Sequence, residues 1–408
     1  MNILYISYDG VTDPLGQSQI IPYLAGLSAK GHQTTILSCE KRDNYDLRKD
    51  EIDALLQANN INWSPIFYHK SPPVLSTIYD IQQLKGKAAA LHKQHNFDIV
   101  HCRSYLAGMV GHYMKKKFNT KFIFDIRGFW VDERVEGGLW NLSNPLYQLI
   151  YNYFKKKETQ LYTDADHTVS LTIKGKEIIH SKEQIKNNPI PIEVIPCCAD
   201  LDHFSFKNID SEKVQEVKNE LGITNDDFVI SYLGSIGTWY MLDEMLEFFQ
   251  QLLQTKPNSK FLFITNERSE LIKSKAKEQA IPEASVITTK AEYQDVPTVL
   301  SLSDISIFFI KQIFSKNASS PTKQGEIMGM GIPIICNSKI GDTADILVDT
   351  DGGVVINDFT NEEYQIAIDK IDGLLENSKE HYRNGAFKYY SLKEGVEKYD
   401  SIYSSLSN

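Results

Sequence analysis

The chain has 408 residues, 42% hydrophobic and 24% charged, with a formal net charge of −10. That length exceeds what one core supports and suits two domains of about 150 to 200 residues. Residues 1–200 carry 23 Lys+Arg against 21 Asp+Glu and the remainder 20 against 32, so the C-terminal half is strongly acidic and a nucleic-acid binder is excluded.

The N-terminal run from Met1 to Asp9 lacks a basic start and is too short for a signal peptide, and no apolar run spans a bilayer, so a cytosolic protein is expected. In chain order, Ile3 to Tyr8 reads as a short buried strand, Gln17 to Lys30 as a helix stopped by Gly31, and Gln33 to Cys39 as the next strand. Phe97 to His101, Phe122 to Ile126 and His167 to Leu171 continue the alternation of strands with helices. Two basic-aromatic stretches, Tyr113 to Phe118 and Tyr147 to Lys157, read as solvated helix faces ending in cations that favour the dipole. They also have the composition of a peripheral contact with an anionic membrane.

A second series follows the connector Glu193 to Phe204: strands at Phe228 to Leu233, Phe261 to Thr265, Val286 to Thr288, Ile305 to Ile310 and Ile332 to Cys336. The expected fold class is α/β, two Rossmann-like doubly wound domains facing a cleft. The expected boundaries are 1–200, 201–378, and a helical segment 379–408 crossing back to the first domain. Five cysteines with no CxxC spacing, including the adjacent Cys197 and Cys198, read as buried reduced thiols, the pair as apolar filling near the connector.

The stretch Ser319 to Cys336 carries the most chemistry. A hydroxyl-rich loop, Pro321, a helix with Lys323 and Glu326 in its first turns, and a glycine-proline break into an apolar strand form a site suited to phosphate and diol together. The same residues also make an ordinary capping arrangement, in which Glu326 only favours the dipole.

These motifs resemble retaining GT-B glycosyltransferases of the glycosyl transferases group 1 family, bacterial enzymes that include builders of surface polysaccharides. The resemblance rests on Tyr8 to Gln19, Asp125 to Glu133, the connector Ile195 to Asp200, Tyr232 to Ser235, and above all Ser320 to Gly331. It implies transfer of a sugar from a nucleotide-diphosphate sugar, a UDP-sugar foremost, to a saccharide or lipid-linked acceptor at the inner membrane face, with no further cofactor. It also implies that Lys323 and the amides around Ser320 and Thr322 receive the diphosphate, that Glu326 holds the ribose hydroxyls, and that Gly16 lets the backbone approach the donor. Gly16 reads equally as a plain turn glycine. Tyr293 is a candidate to flank the base, or a surface tyrosine.

Three departures stand out. Ala318 occupies the place of a second family glutamate, Ser235 and Trp239-Tyr240-Met241 stand where relatives carry an Arg/Lys pair, and Arg127 replaces an acceptor-side histidine. Phosphate neutralisation then falls on Lys323 with Lys311 or Lys316. Arg127 stays protonated and would orient a hydroxyl or stabilise charge. Asp125 and Asp132 are candidates to accept a proton, and an Asp125–Arg127 structural pair is the competing reading. His101 and Arg103 end a strand where an acceptor could touch them, although a hydrogen-bonded core histidine is the commoner outcome. No metal site is expected, since the triplet Asp164-Ala165-Asp166 reads as a strand start. Two alternatives remain: a GT-B nucleotide-sugar epimerase, and a non-catalytic two-domain ligand-binding protein.

Overall fold

The computed structural model describes residues 1–407 and divides into two compact units. The first comprises Met1–Pro196, Asn317–Ser319 and residues 392–407; the second comprises Cys197–Lys316 and Ser320–Ser391. The expected 379–408 segment is therefore split. Its first helix, Lys379–Tyr390, belongs to the second unit, and Leu392–Ser405 belongs to the first, where it packs on Ile21–Ala29.

In the first unit β1 (Asn2–Ser7), β2 (Gln33–Glu40), β3 (Ile61–Trp63), β4 (Ile66–Phe67), β5 (Ile99–Arg103), β6 (Lys121–Asp125), β7 (His167–Ser170) and β8 (Ile192–Val194) form a parallel sheet. Its order is β3-β2-β1-β5-β6-β7-β8, with β4 also on β2. Ile3, Leu4 and Ile6 are fully buried, as expected of a strand covered on both faces. The single helix expected over 17–30 is two, Pro14–Gln19 and Ile21–Ala29. Ile20, at φ −122°, breaks the helical path just before Pro22, which has no amide to donate.

In the second unit β9 (Phe228–Leu233), β10 (Ser259–Ile264), β11 (Val286–Thr289), β12 (Ile305–Phe308), β13 (Ile334–Asn337) and β14 (Gly353–Ile356) are also all parallel, in the order β11-β10-β9-β12-β13-β14. The order reverses between β9 and β12. In such sheets ligands bind beyond the strand ends at that reversal. β3, β4 and β8 were not legible in the sequence because each has at most three residues, too few to show a period, and β14 (four residues) was missed as well.

Arg383 fastens the second unit's connector. Its buried guanidinium donates to the carbonyls of Leu201, Phe204 and Gly329, tying the helix Lys379–Tyr390 to the connector and to the end of the helix Thr322–Gly329. Each carbonyl would otherwise lose its partner away from water. Arg383→Ala should destabilise the second unit by about 2–4 kcal/mol. Denaturant unfolding measures it, and an unchanged midpoint would contradict the fastening role.

Candidate functional site

β9 runs into Gly234 at φ +110°, a conformation that favours glycine, and a Cβ there would lie 3.2 Å from Lys323 Nζ. Lys323 sits in the first turn of the helix Thr322–Gly329, whose N-cap position is taken by Pro321 without a side-chain cap. Its ammonium thus reaches the carboxyl end of β9, beside the sheet's reversal. Lys323 is 7% exposed.

An aromatic cage surrounds this charge. Nζ donates to Tyr232 Oη at 3.0 Å and lies 3.7 Å from the Tyr240 ring centroid and 4.1 Å from that of Tyr232. Ring faces attract a desolvated cation, so they replace part of its lost hydration. Tyr240 is fixed by its backbone: it bridges Ile310, while the Met241 amide donates to Phe309 O at 3.0 Å and the Lys311 amide to Trp239 O at 2.9 Å. On the same segment Trp239 lies 4.0 Å beneath Lys316 Nζ. Consecutive aromatics therefore cover two lysines.

Burial drives the Lys323 pKa well below its usual value, with Glu326 opposing the shift. Burial likewise lifts Glu326 to about 7, with Lys323 pulling it back. Both groups thus lean towards their neutral forms, a state that an arriving anion and diol would reverse.

Ser320 Oγ accepts from the Cys197 amide at 3.2 Å, which fixes the loop before the helix. Thr322 opens the helix and is half-buried. Tyr293 stacks on His203, with centroids 4.7 Å apart and planes at 20°, while His203 Nε2 lies 3.0 Å from Tyr293 O. Burial raises the Tyr293 pKa first, and the charges of Glu326 and Asp200 raise it further, which places this ring in the same electrostatic neighbourhood as Glu326. Lys311 is exposed.

The first unit holds the other candidates. At Gly16 a Cβ would fall 2.4 Å from Gly10 O and 2.5 Å from Val11 Cα, so packing of this six-residue helix against its own loop explains the glycine. Asp125, at the end of β6, is 1% exposed and accepts from Tyr399 Oη at 2.9 Å, with Arg127 Nη1 at 3.7 Å. Burial raises its pKa, but Arg127, His101 and Arg103 outweigh that and hold it below the ordinary value. A buried carboxylate so stabilised is poorly suited to take a proton. The reading of Asp125 as a proton acceptor gives way to the structural pair.

Asp132 is committed as well, to Lys155 at 2.9 Å and Tyr151 at 3.1 Å. His101 meets Tyr403 Oη at 2.7 Å through Nδ1, and burial lowers its pKa despite Asp125 nearby, so it is a neutral core histidine. Arg103, 4% exposed, has Nε and Nη1 without hydrogen-bond partners. Arg127 takes φ +53°, a costly conformation for a non-glycine residue, and its Nη2 donates to Gln19 Oε1 at 3.3 Å.

Asp164 ends a helix and pairs with His112, and Asp166 caps the Phe122 amide at 2.8 Å, so the triplet between β6 and β7 is consumed in packing. Ala318, fully buried, belongs to the first unit. Among the described residues no group of three or more His, Cys, Asp or Glu could hold a metal, all five cysteines are free and buried, and no helix is long and apolar enough to cross a membrane.

Comparison with known proteins matches two family models in tandem, Glycosyltransferase Family 4 over residues 21–203 and Glycosyl transferases group 1 over 213–388. The chain is 24% identical over 274 residues to the alpha-monoglucosyldiacylglycerol synthase of Acholeplasma laidlawii, covering 65% of this chain and 64% of that protein's length. A glycosyltransferase structure from Rickettsia africae superposes with a TM-score of 0.72 at 17% identity, covering 100% of this chain and 98% of the other. Anabaena HepE in complex with UDP and glucose gives 0.71 at 12% identity, covering 99% and 100%.

The chain is a GT-B glycosyltransferase.

Within this glycosyltransferase the structure brings Lys323, Glu326, Tyr293, Ser320 and Thr322 into the second unit, and Gly16, Asp125 and Arg127 into the first. The roles of Tyr232 and Tyr240 were not legible in the sequence. The one signal, for Tyr240, was an aromatic pair standing where cations were expected, and a cation–π cage has no sequence spacing. Tyr399 and Tyr403, 274 and 302 residues from their partners, gave no signal at all.

The raised Glu326 pKa carries a sign. Between about 4.5 and 7 the unfolded chain has lost this proton while the folded protein keeps it, so stability declines as pH rises through that window. Glu326→Gln has no proton to lose. It should raise the melting midpoint at pH 8 and leave it nearly unchanged at pH 4; equal shifts at both would contradict the buried-carboxyl account.

Proposed function

We propose that this glycosyltransferase moves a sugar from a nucleoside-diphosphate sugar, a UDP-sugar, to a hydroxyl of a saccharide or lipid-linked acceptor, with retention and without metal or cofactor. One observation carries the reading: Lys323 and Glu326 lie in the first turns of one helix, with the lysine beside the strand-order reversal of the second unit. The Acholeplasma relative, whose name gives a lipid product, and the UDP-bound HepE neighbour support the donor and acceptor classes.

The difficult part of the reaction is charge building on the departing diphosphate. Lys323 and the free amides of the helix start answer that charge. Burial holds Lys323 poised towards neutrality, so its ammonium is stabilised most when the diphosphate is most negative. Glu326 holds the ribose diol as an acceptor of two hydrogen bonds. Tyr293 flanks the base. In the first unit Arg127, fixed by Asp125, orients the acceptor. With Asp125 committed to Arg127 and Tyr399, the acceptor's proton goes to the leaving phosphate oxygen as the new glycosidic bond forms on the face the diphosphate leaves. A lipid-linked acceptor places the enzyme at the inner face of the membrane as a peripheral protein.

Lys323→Ala and Glu326→Ala should each weaken UDP binding by about 1–3 kcal/mol, roughly 5- to 150-fold, in calorimetry with EDTA present. Unchanged affinity in both variants would remove the site. Product analysis by NMR reads the anomeric configuration, and inversion would contradict the proposed mechanism.

A further inference from the structure

Away from these residues, the first unit has a second basic site. A pocket of about 280 Å³ lies between the helices Leu75–His95, Ser104–Phe118 and Pro145–Asp164, lined by Lys85, His112, Tyr113, Lys116, Tyr153 and Lys157 together with two apolar side chains. That volume is close to the roughly 300 Å³ at the small end of ligand sites.

Its charges are met by the protein only in part. Asp164 is taken by His112 at 2.8 Å and Lys116 at 3.4 Å. Among the described residues no carboxylate pairs with Lys85 or Lys157. Lys157 donates to the neutral Gln160 at 2.8 Å and lies 6.0 Å from the Tyr153 ring, and Lys85 lies 5.7 Å from the Tyr113 ring. Burial and the repulsion of Lys157 both lower the Lys85 pKa. Helix-end placement accounts for Lys115, Lys116 and Lys117, which close their helix favourably. It does not account for Lys85 and Lys157, both mid-helix.

The apolar surroundings point to the kind of anion. Leu146, Leu149, Tyr153 and Lys157 recur at helical spacing along one face of Pro145–Asp164, and the first three are 57%, 67% and 47% exposed. Exposed leucines, then an aromatic ring, then lysines around a cavity make a surface whose apolar part and cationic part fit a membrane interface together.

We propose that this pocket binds the phosphate of an anionic phospholipid headgroup, with Leu146, Leu149 and Tyr153 entering the acyl boundary beside it. The site is separate from the donor residues and does not depend on the reaction assigned to them.

Co-sedimentation of the full chain with phosphatidylglycerol and phosphatidylcholine vesicles tests this, using wild type, Lys85→Gln/Lys157→Gln and Leu146→Ser/Leu149→Ser. Wild type should partition onto phosphatidylglycerol alone. The lysine variant should bind about 30-fold more weakly, a factor of about five per lysine. The leucine variant should lose vesicle binding while still binding sn-glycerol 3-phosphate in calorimetry as wild type does. Thermal melts separate this from misfolding, since removing the like charges should leave the midpoint unchanged or raise it. Equal partition of wild type and the lysine variant would overturn the proposal. Binding of sn-glycerol 3-phosphate by wild type without any vesicle binding would overturn the lipid source.

Discussion

A lysine ammonium taken out of water is the constraint around which the second unit is arranged. Lys323 is surrounded by the hydroxyl of Tyr232, the faces of Tyr232 and Tyr240, and the open space above Gly234. Each feature imposes another. The Tyr240 ring stays in place because its segment pairs with the backbone of residues 309–311. The turn after β9 stays open because Gly234 adopts a conformation that side chains resist. The helix start stays at the strand ends because Ser320 holds the Cys197 amide and Arg383 holds the other end of the helix. An isolated buried charge would cost several kcal/mol, and cation–π contacts with one hydrogen bond offset only part of that. The remainder appears as the lowered pKa, a latent affinity for an anion.

The first unit solves a different problem with the same sheet. Its strand ends carry a polar cluster, His101, Asp125, Arg103 and Arg127, roofed by tyrosines from the C-terminal helix. The hydroxyls of Tyr399 and Tyr403 meet groups that would otherwise be buried without partners. This arrangement fixes Asp125 as a counterion rather than an acid or base. It also supports Arg127 in a backbone conformation that must be held from outside.

Much of the fold was readable in the sequence because parallel strands buried on both faces are continuous apolar runs. Ile3 to Ile6, Phe228 to Leu233 and Ile334 to Cys336 are examples. Pro22, which divides the second element, was visible but carries less weight in a periodic pattern than it does in a hydrogen-bond ladder. The placement of Lys323 and Glu326 was legible because it is local: a helix start, a cation and a carboxylate three residues on. Tyr232, Tyr240 and Tyr399 were not, since their partners lie 91, 83 and 274 positions away and only folding brings them together. The acidity of Asp125 was illegible for the same reason, as Arg127 just past β6, with His101 and Arg103 of β5, decides it.

The central claim is that a nucleoside diphosphate binds at the caged lysine. Hydrogen exchange of the full chain with and without UDP locates that contact segment by segment. The account predicts protection at the start of the helix Thr322–Gly329 and in the Leu233–Met241 turn. Exchange unchanged in both segments while UDP is bound elsewhere would contradict it.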